Sequence, residues 1–317
     1  MNLKLAPASV DAMSDRPTEP GSDDPLDVRG VIAPTVTAFD GDGTLDTEAT
    51  TAHARFVVDH GCHGVMPLGT NGEFALLTAG ERKAVVESVC TAIDSVPVIP
   101  GVGAPSTRET ITLARHAEAS GADGIVAVTP YYYPVDSRGA VEHYTKICRS
   151  VDCPVYLYHI PSRTGNSLSL ETMRDLADVD GIAGLKDSSK DVGWLSQVLA
   201  ENPSLTGLVG SDSLLYPGLS VGCTGVVSAV ANVFPELIVD LHEAFEAGEL
   251  ERAQSRQHRV LRVRDAFKNG PYLAGVKTAL SLRDVDFDVG GLRSPLRTMN
   301  ASDRDNLAET LGNLDLV

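Results

Sequence analysis

The chain has 317 residues, 43% hydrophobic and only 5% aromatic, with 26 basic against 43 acidic side chains and a formal charge of −17. That acidic balance argues against nucleic acid or an anionic membrane as the main partner, since both require positive surface. Abundant Ala, Val, Leu and Gly with few aromatics suit an α/β protein better than a β-sandwich.

In chain order, residues 1–28 come first, rich in Pro, Ser and Asp (DRPTEPGSDDP) with little to bury, and read as an acidic disordered tail. The N-terminus lacks a sustained apolar stretch, and no run of eighteen apolar residues occurs, so a cytoplasmic protein without a membrane span is expected. Beyond the tail, short Val- and Ile-rich runs recur roughly every thirty residues, the period of a strand–helix unit. They are VIAPTVTAF (31–39), HGVMPLG (63–69), VPVIPGVG (96–103), GIVAVTP (124–130), PVYLYHI (154–160), GIAGLK (181–186), LTGLVG (205–210) and GCTGVVSAV (222–230). Helix-like intervals separate them, several starting after Ser or Thr and several ending at Gly or Asp.

Nearly continuous apolar strands need cover on both faces, as parallel strands between helices have. Eight such units predict a TIM (β/α)₈ barrel over residues 29–245. An open doubly wound sheet would need a Gly-rich fingerprint, and GVGAPS (101–106) lacks its third glycine. After residue 245 the strand rhythm stops, and 246–317 reads as a C-terminal helical appendage. The five cysteines are scattered, with no CxxC pair or Cys/His cluster, so they read as small core residues rather than a zinc site or disulfide framework.

Barrel enzymes carry their reactive groups at C-terminal strand ends, so the residues after each run are the candidates. They are GTNGEF (69–74), PYYYP (130–134), Tyr158 and His159 with PSRTG (161–165), Lys186, GSD (210–212) and GVVSAVAN (225–232). Lys186 ends an apolar run, which would disfavour its charge and leave an amine able to attack a ketone. The competing reading is a solvated strand-end lysine paired with Asp187, and the local residues leave both open. GTNGEF offers backbone N–H groups on small residues, a nest for a carboxylate, or else an ordinary turn. Three consecutive tyrosines, Tyr131 to Tyr133, cannot all face one way. Tyr158 needs a polar partner for its hydroxyl, Arg163 could grip a carboxylate or be a surface charge, and His159 reads as structural.

Thr70 in GTNGE, Tyr132 in PYYYP, Tyr158 and Arg163 in YHIPSRTG, and Lys186 in GLKDSS stand in the order and spacing of a known family. Over about residues 29 to 315 the chain resembles the dihydrodipicolinate synthase / N-acetylneuraminate lyase family of class I, pyruvate-dependent aldolases. That resemblance implies that Lys186 forms an imine with pyruvate or another 2-oxo acid and that Tyr158 shuttles protons. It implies that Thr70 and Tyr132 complete a proton relay, while Tyr131 is lent to the neighbouring subunit's site. The GTNGE amides with Thr70 and Asn71 would hold the 2-oxo acid carboxylate. Gly210 and Val227 would line the pocket, and Arg163 would contact substrate. No metal or organic cofactor is implied, and many members are tetramers built as dimers of dimers.

The departures concern the substrate. Synthases of the family usually show GTTGE, Lys-Glu-Ala and NPIPVK-like segments, where this chain has Asn71, Asp187-Ser188-Ser189 and GPYLAGVK (270–277). Arg163 points back toward the synthase, where the matching arginine grips the aldehyde's carboxylate. The expectation is a 2-keto-3-deoxy sugar-acid aldolase, with 4-hydroxy-tetrahydrodipicolinate synthase as the alternative. Two readings from other classes are a catalytically inactive sugar-acid-binding barrel and a phosphate-binding barrel. The second lacks a Lys or Arg in GSDSLLYPGLSVGCTG.

Overall fold

A computed structural model describes residues 28–317. Among the described residues nine short strands form: β1 (Gly30–Ala33), β2 (Ala38–Phe39), β3 (Leu45–Asp46), β4 (Gly64–Val65), β5 (Ile125–Val128), β6 (Val155–His159), β7 (Ile182–Asp187), β8 (Thr206–Val209) and β9 (Gly225–Val227). Seven make one parallel sheet in the order β4-β1-β9-β8-β7-β6-β5. The expected third strand joins its two ends through isolated bridges, Val65 to Val98 and Gly101 to Val126. Pro97 and Pro100 have no N–H to donate, so a regular ladder cannot form there. Their carbonyls still accept from Val65 N–H (3.0 Å) and Val126 N–H (2.9 Å), which closes the barrel with eight staves. The first predicted run also divides. Pro34 follows the end of β1, and Ala38–Phe39 pairs instead with Leu45–Asp46 as a small antiparallel hairpin.

Each stave leads into a helix, and the helix starts are fixed by side chains that accept the first free N–H groups. Asp46, Ser106, Asp136, Ser169 and Asp191 cap five of them, and Thr78 with Glu81 forms a reciprocal capping box. Strand side chains alternate between two cores. Val31, Val65, Ile125, Leu157, Leu185 and Val226 pack outward against the helices. Ile32, Met66, Ile99, Val126, Tyr156, Leu208 and Val227 fill the barrel interior.

Of the expected acidic tail, residues 1–27 lie outside the described residues. Val28 is buried and donates its N–H to the Tyr156 hydroxyl (3.4 Å). Helices Leu250–Ala266, Tyr272–Leu282 and Ala301–Gly312 form the C-terminal region. No helix among the described residues is long and apolar enough to cross a membrane.

Candidate active site

The alternation that fills the barrel also aims the lysine. Val128, Tyr158, Lys186 and Leu208 are consecutive partners across β5, β6, β7 and β8, so they form one inward row near the C-terminal rim. Lys186 is therefore buried, and its Nζ has only weak partners: the Met66 thioether at 3.7 Å and the Tyr158 ring, 3.9 Å from its centroid. Burial lowers the amine from its ordinary 10.5 to about 7, and the nearby Asp212 carboxylate opposes that shift. Desolvation wins because no carboxylate pairs with Nζ within ion-pair distance among the described residues. The strand-end ion pair with Asp187 does not form. Asp187 is one residue along the strand and faces the other way, where its carboxylate accepts from His159 Nδ1 at 2.8 Å.

Gly210 leaves room for the lysine. A Cβ there would lie 2.3 Å from Ser188 Oγ and 3.1 Å from Lys186 Cε. Its N–H donates to Asp187 O (2.7 Å) and its carbonyl accepts from Ser188 Oγ (2.9 Å). Val227 borders the same interior from β9.

The Tyr158 hydroxyl lies 3.3 Å from Thr70 Oγ1. Burial raises the phenol above its ordinary value, opposed by the Thr70 and Ser188 hydroxyls and the Arg163 charge. Tyr158 thus keeps its proton near neutral pH and can donate it. Thr70 and Asn71 occupy the turn after β4, and their backbone N–H groups donate to no acceptor among the described residues. Arg163, in the short helix Pro161–Thr164, is exposed, and its guanidinium makes no hydrogen bond or ion pair among them.

The consecutive tyrosines sit in different environments. Tyr131 is half-buried, edge-on to Phe74 of its own chain (6.0 Å between centroids). Tyr132 is 82% exposed, stacked edge-on with Tyr133, and has a left-handed φ of +79°. Within one chain it bonds neither Thr70 nor Tyr158. Tyr132, with its left-handed backbone, and Tyr133, 70% exposed, both turn outward, and Tyr131 is the inward-packed one.

Three residues lie within the candidate stretches but have no role assigned from sequence. Ser188 faces inward two residues after Lys186, which strand alternation could have revealed. Asp212 is buried after β8 and accepts from Ser228 Oγ (2.6 Å) and the Tyr272 hydroxyl (2.8 Å). Glu73, at the end of GTNGE, is buried against Lys277. The cysteines are all free, and burial raises each thiol, to about 11 or 12, so none is a ready nucleophile.

An interior amine whose proton affinity burial lowers, beside a buried phenol at the C-terminal rim of a closed parallel barrel, is an arrangement suited to carbonyl chemistry through a lysine. The model of the dihydrodipicolinate synthetase family matches residues 27–314, and the chain belongs to that family. It is accordingly a lyase of the class I aldolase type. An "uncharacterized DapA-like lyase" of Halobacterium salinarum is 60% identical over 299 residues, covering 94% of this chain and 98% of that protein. A 4-hydroxy-tetrahydrodipicolinate synthase of Methanothrix thermoacetophila is 37% identical (89% and 96% covered). YjhH of Escherichia coli, a probable 2-dehydro-3-deoxy-D-pentonate aldolase, is 40% identical (74% and 80% covered). Among solved structures, E. coli YagE in complex with pyruvate superposes with a TM-score of 0.87 at 32% identity, covering 91% of this chain and 99% of that one.

Proposed function

We propose that Lys186 forms an imine with pyruvate or a related 2-oxo acid, and that the enzyme cleaves or makes a carbon–carbon bond to an aldehyde. The observation that carries this reading is the buried, near-neutral Lys186 amine against Tyr158. The amine attacks the C2 carbonyl. The carbinolamine loses water with Tyr158 moving the proton, and the protonated imine takes up the C3–H electron pair as the C3 proton leaves through Tyr158, which gives the enamine. In the synthetic direction the resulting enamine adds to the aldehyde carbonyl, and water then releases the product and the free lysine. Cleavage is the reverse sequence. Thr70 relays protons to Tyr158, and the free N–H groups of Thr70 and Asn71 receive the carboxylate. Gly210 and Val227 bound the pocket.

For the aromatic pair, the exposure of Tyr132 supports its reaching out of its own chain. Tyr132 is the residue offered to a neighbouring subunit, so the relay is completed across a dimer, within a tetramer of paired dimers. Tyr131 stays with its own chain.

The favoured substrate is a 2-keto-3-deoxy sugar acid. The similarity to YjhH supports it, as does a rim carrying hydroxyls at Thr70, Tyr158 and Ser188. Arg163 sustains the second reading, a 4-hydroxy-tetrahydrodipicolinate synthase, because its free guanidinium could grip a carboxylated aldehyde. A screen of pyruvate with glyceraldehyde, glycolaldehyde and aspartate semialdehyde separates the two. Turnover confined to hydroxyaldehydes supports the first, and turnover confined to aspartate semialdehyde overturns it.

A further inference from the structure

The carboxylate nest is anchored from the far end of the chain. Glu73 closes GTNGE in a left-handed conformation (φ +52°), unusual for a residue with a Cβ. Its side chain is fully buried. Oε1 lies 2.8 Å from Lys277 Nζ, and Oε2 accepts the Arg293 backbone N–H at 2.9 Å. Lys277 lies within helix Tyr272–Leu282, is itself buried, and also donates to Gly291 O (2.7 Å) while lying over the Phe39 ring. Arg293 continues the contact outward, with two hydrogen bonds to Glu81 (2.8 and 2.7 Å).

At the turn itself, Gly72 N–H donates to Gly69 O (3.1 Å) and Glu73 N–H to Thr70 O (3.2 Å). The Gly72 carbonyl accepts from Thr37 Oγ1 at 2.7 Å. A Cβ at Gly72 would meet Leu68 N at 3.0 Å and Thr35 O at 3.1 Å, so the turn has no slack on that side. The two unpaired N–H groups, of Thr70 and Asn71, lie between the Gly69 end and the Glu73 anchor. A buried ion pair is weak evidence for stability, because desolvating both charges offsets much of their attraction. Its geometric effect is stronger: it fixes where the turn ends.

We infer that Glu73 and Lys277 are positioning residues that hold the Thr70–Asn71 nest in the orientation that binds the carboxylate of the 2-oxo acid, making helix Tyr272–Leu282 part of the binding apparatus. This rests on the imine reading above. Loosening the nest weakens capture of the 2-oxo acid while leaving the Lys186 and Tyr158 chemistry in place.

The test is borohydride trapping across a pyruvate titration, alongside steady-state kinetics with the best aldehyde from the screen. The variants are Lys277→Met, Lys277→Arg and the double variant Glu73→Gln/Lys277→Met, which leaves no unpaired buried charge. Lys268→Met, which breaks the exposed Lys268–Asp265 pair, is the control. The double variant is expected to fold, to need about tenfold more pyruvate for half-maximal adduct and turnover, and to keep kcat within about threefold. Lys277→Arg should recover part of the affinity, and the KM for aldehyde should not follow. Folded variants with wild-type pyruvate dependence overturn the inference, as does a fall in kcat with KM unchanged. Absence of any adduct in the unmutated enzyme removes the imine reading, and this inference with it.

Discussion

Lys186 Nζ lies 3.9 Å from the centroid of the Tyr158 ring, and the two residues are direct partners across β6 and β7. A ring face favours a cation by roughly 0.5–2 kcal/mol. Burial acts in the opposite direction and dominates, bringing the amine to about 7. The same phenol that walls off the lysine carries the hydroxyl that meets Thr70. One aromatic side chain thus covers the Lys186 amine with its face and holds its hydroxyl against Thr70 at its edge.

Replacing only that hydroxyl should separate the two duties. Tyr158→Phe is expected to fold normally and to lower kcat about 10²- to 10⁴-fold, the usual range for losing a positioned proton donor. Stopped-flow kinetics and far-ultraviolet circular dichroism check it. Near wild-type turnover would mean that another group carries the proton.

Lys186 also leaves a signature in stability. Its folded value is below its ordinary one, so the unfolded chain holds the proton more tightly between about pH 7 and 10.5. The penalty from the buried charge is complete below about pH 7 and fades as pH rises toward 10.5. Lys186→Met should therefore be more stable than the unmutated protein at pH 6.5, by a margin that shrinks at pH 9 and above. Denaturant unfolding at several pH values measures the margin, and a pH-independent margin contradicts the assignment.

Asp212 opposes the fall in the lysine's proton affinity while held by Ser228 and Tyr272. Asp212→Asn removes the charge with little change of shape. The pH at which pyruvate adduct formation is half-maximal should then move lower. A shift upward would show that Asp212 does not act on Lys186 through its charge.

His159 and Asp187 are the next partners along the same two strands. His159 Nε2 accepts the Leu168 N–H at 3.2 Å, so Nδ1 carries the proton donated to Asp187. His159→Ala leaves the buried carboxylate with only the Ser189 donors. A loss of about 3 kcal/mol is expected in chemical unfolding, as for breaking a buried pair. A loss under 1 kcal/mol would contradict the pairing.

Strand alternation made much of this legible. Once the sixth run is a barrel strand, Lys186 must face inward or outward, and Leu185 before it is apolar enough for the helix side. The eight-unit rhythm was likewise readable, although Pro97 and Pro100 reduced one strand to two bridges. What stayed hidden was contact between distant segments. Nothing near Glu73 announces Lys277, and nothing near Asp212 announces Tyr272, because each pair meets only after the C-terminal helices pack on the barrel. The tyrosines stayed open for a different reason. Residue order shows that neighbours diverge, but only the fold shows that Tyr132 and Tyr133 turn outward while Tyr131 packs on Phe74. His159 and Asp187 looked like independent polar residues until the β6–β7 register placed them side by side.

The most direct test of the central claim is reduction with borohydride in the presence of pyruvate, followed by mass spectrometry of the digested chain. A single reduced pyruvate adduct is expected on the peptide carrying Lys186, rising with pH through about 7 and absent from Lys186→Ala. An adduct on another lysine, or none with any 2-oxo acid, would contradict it.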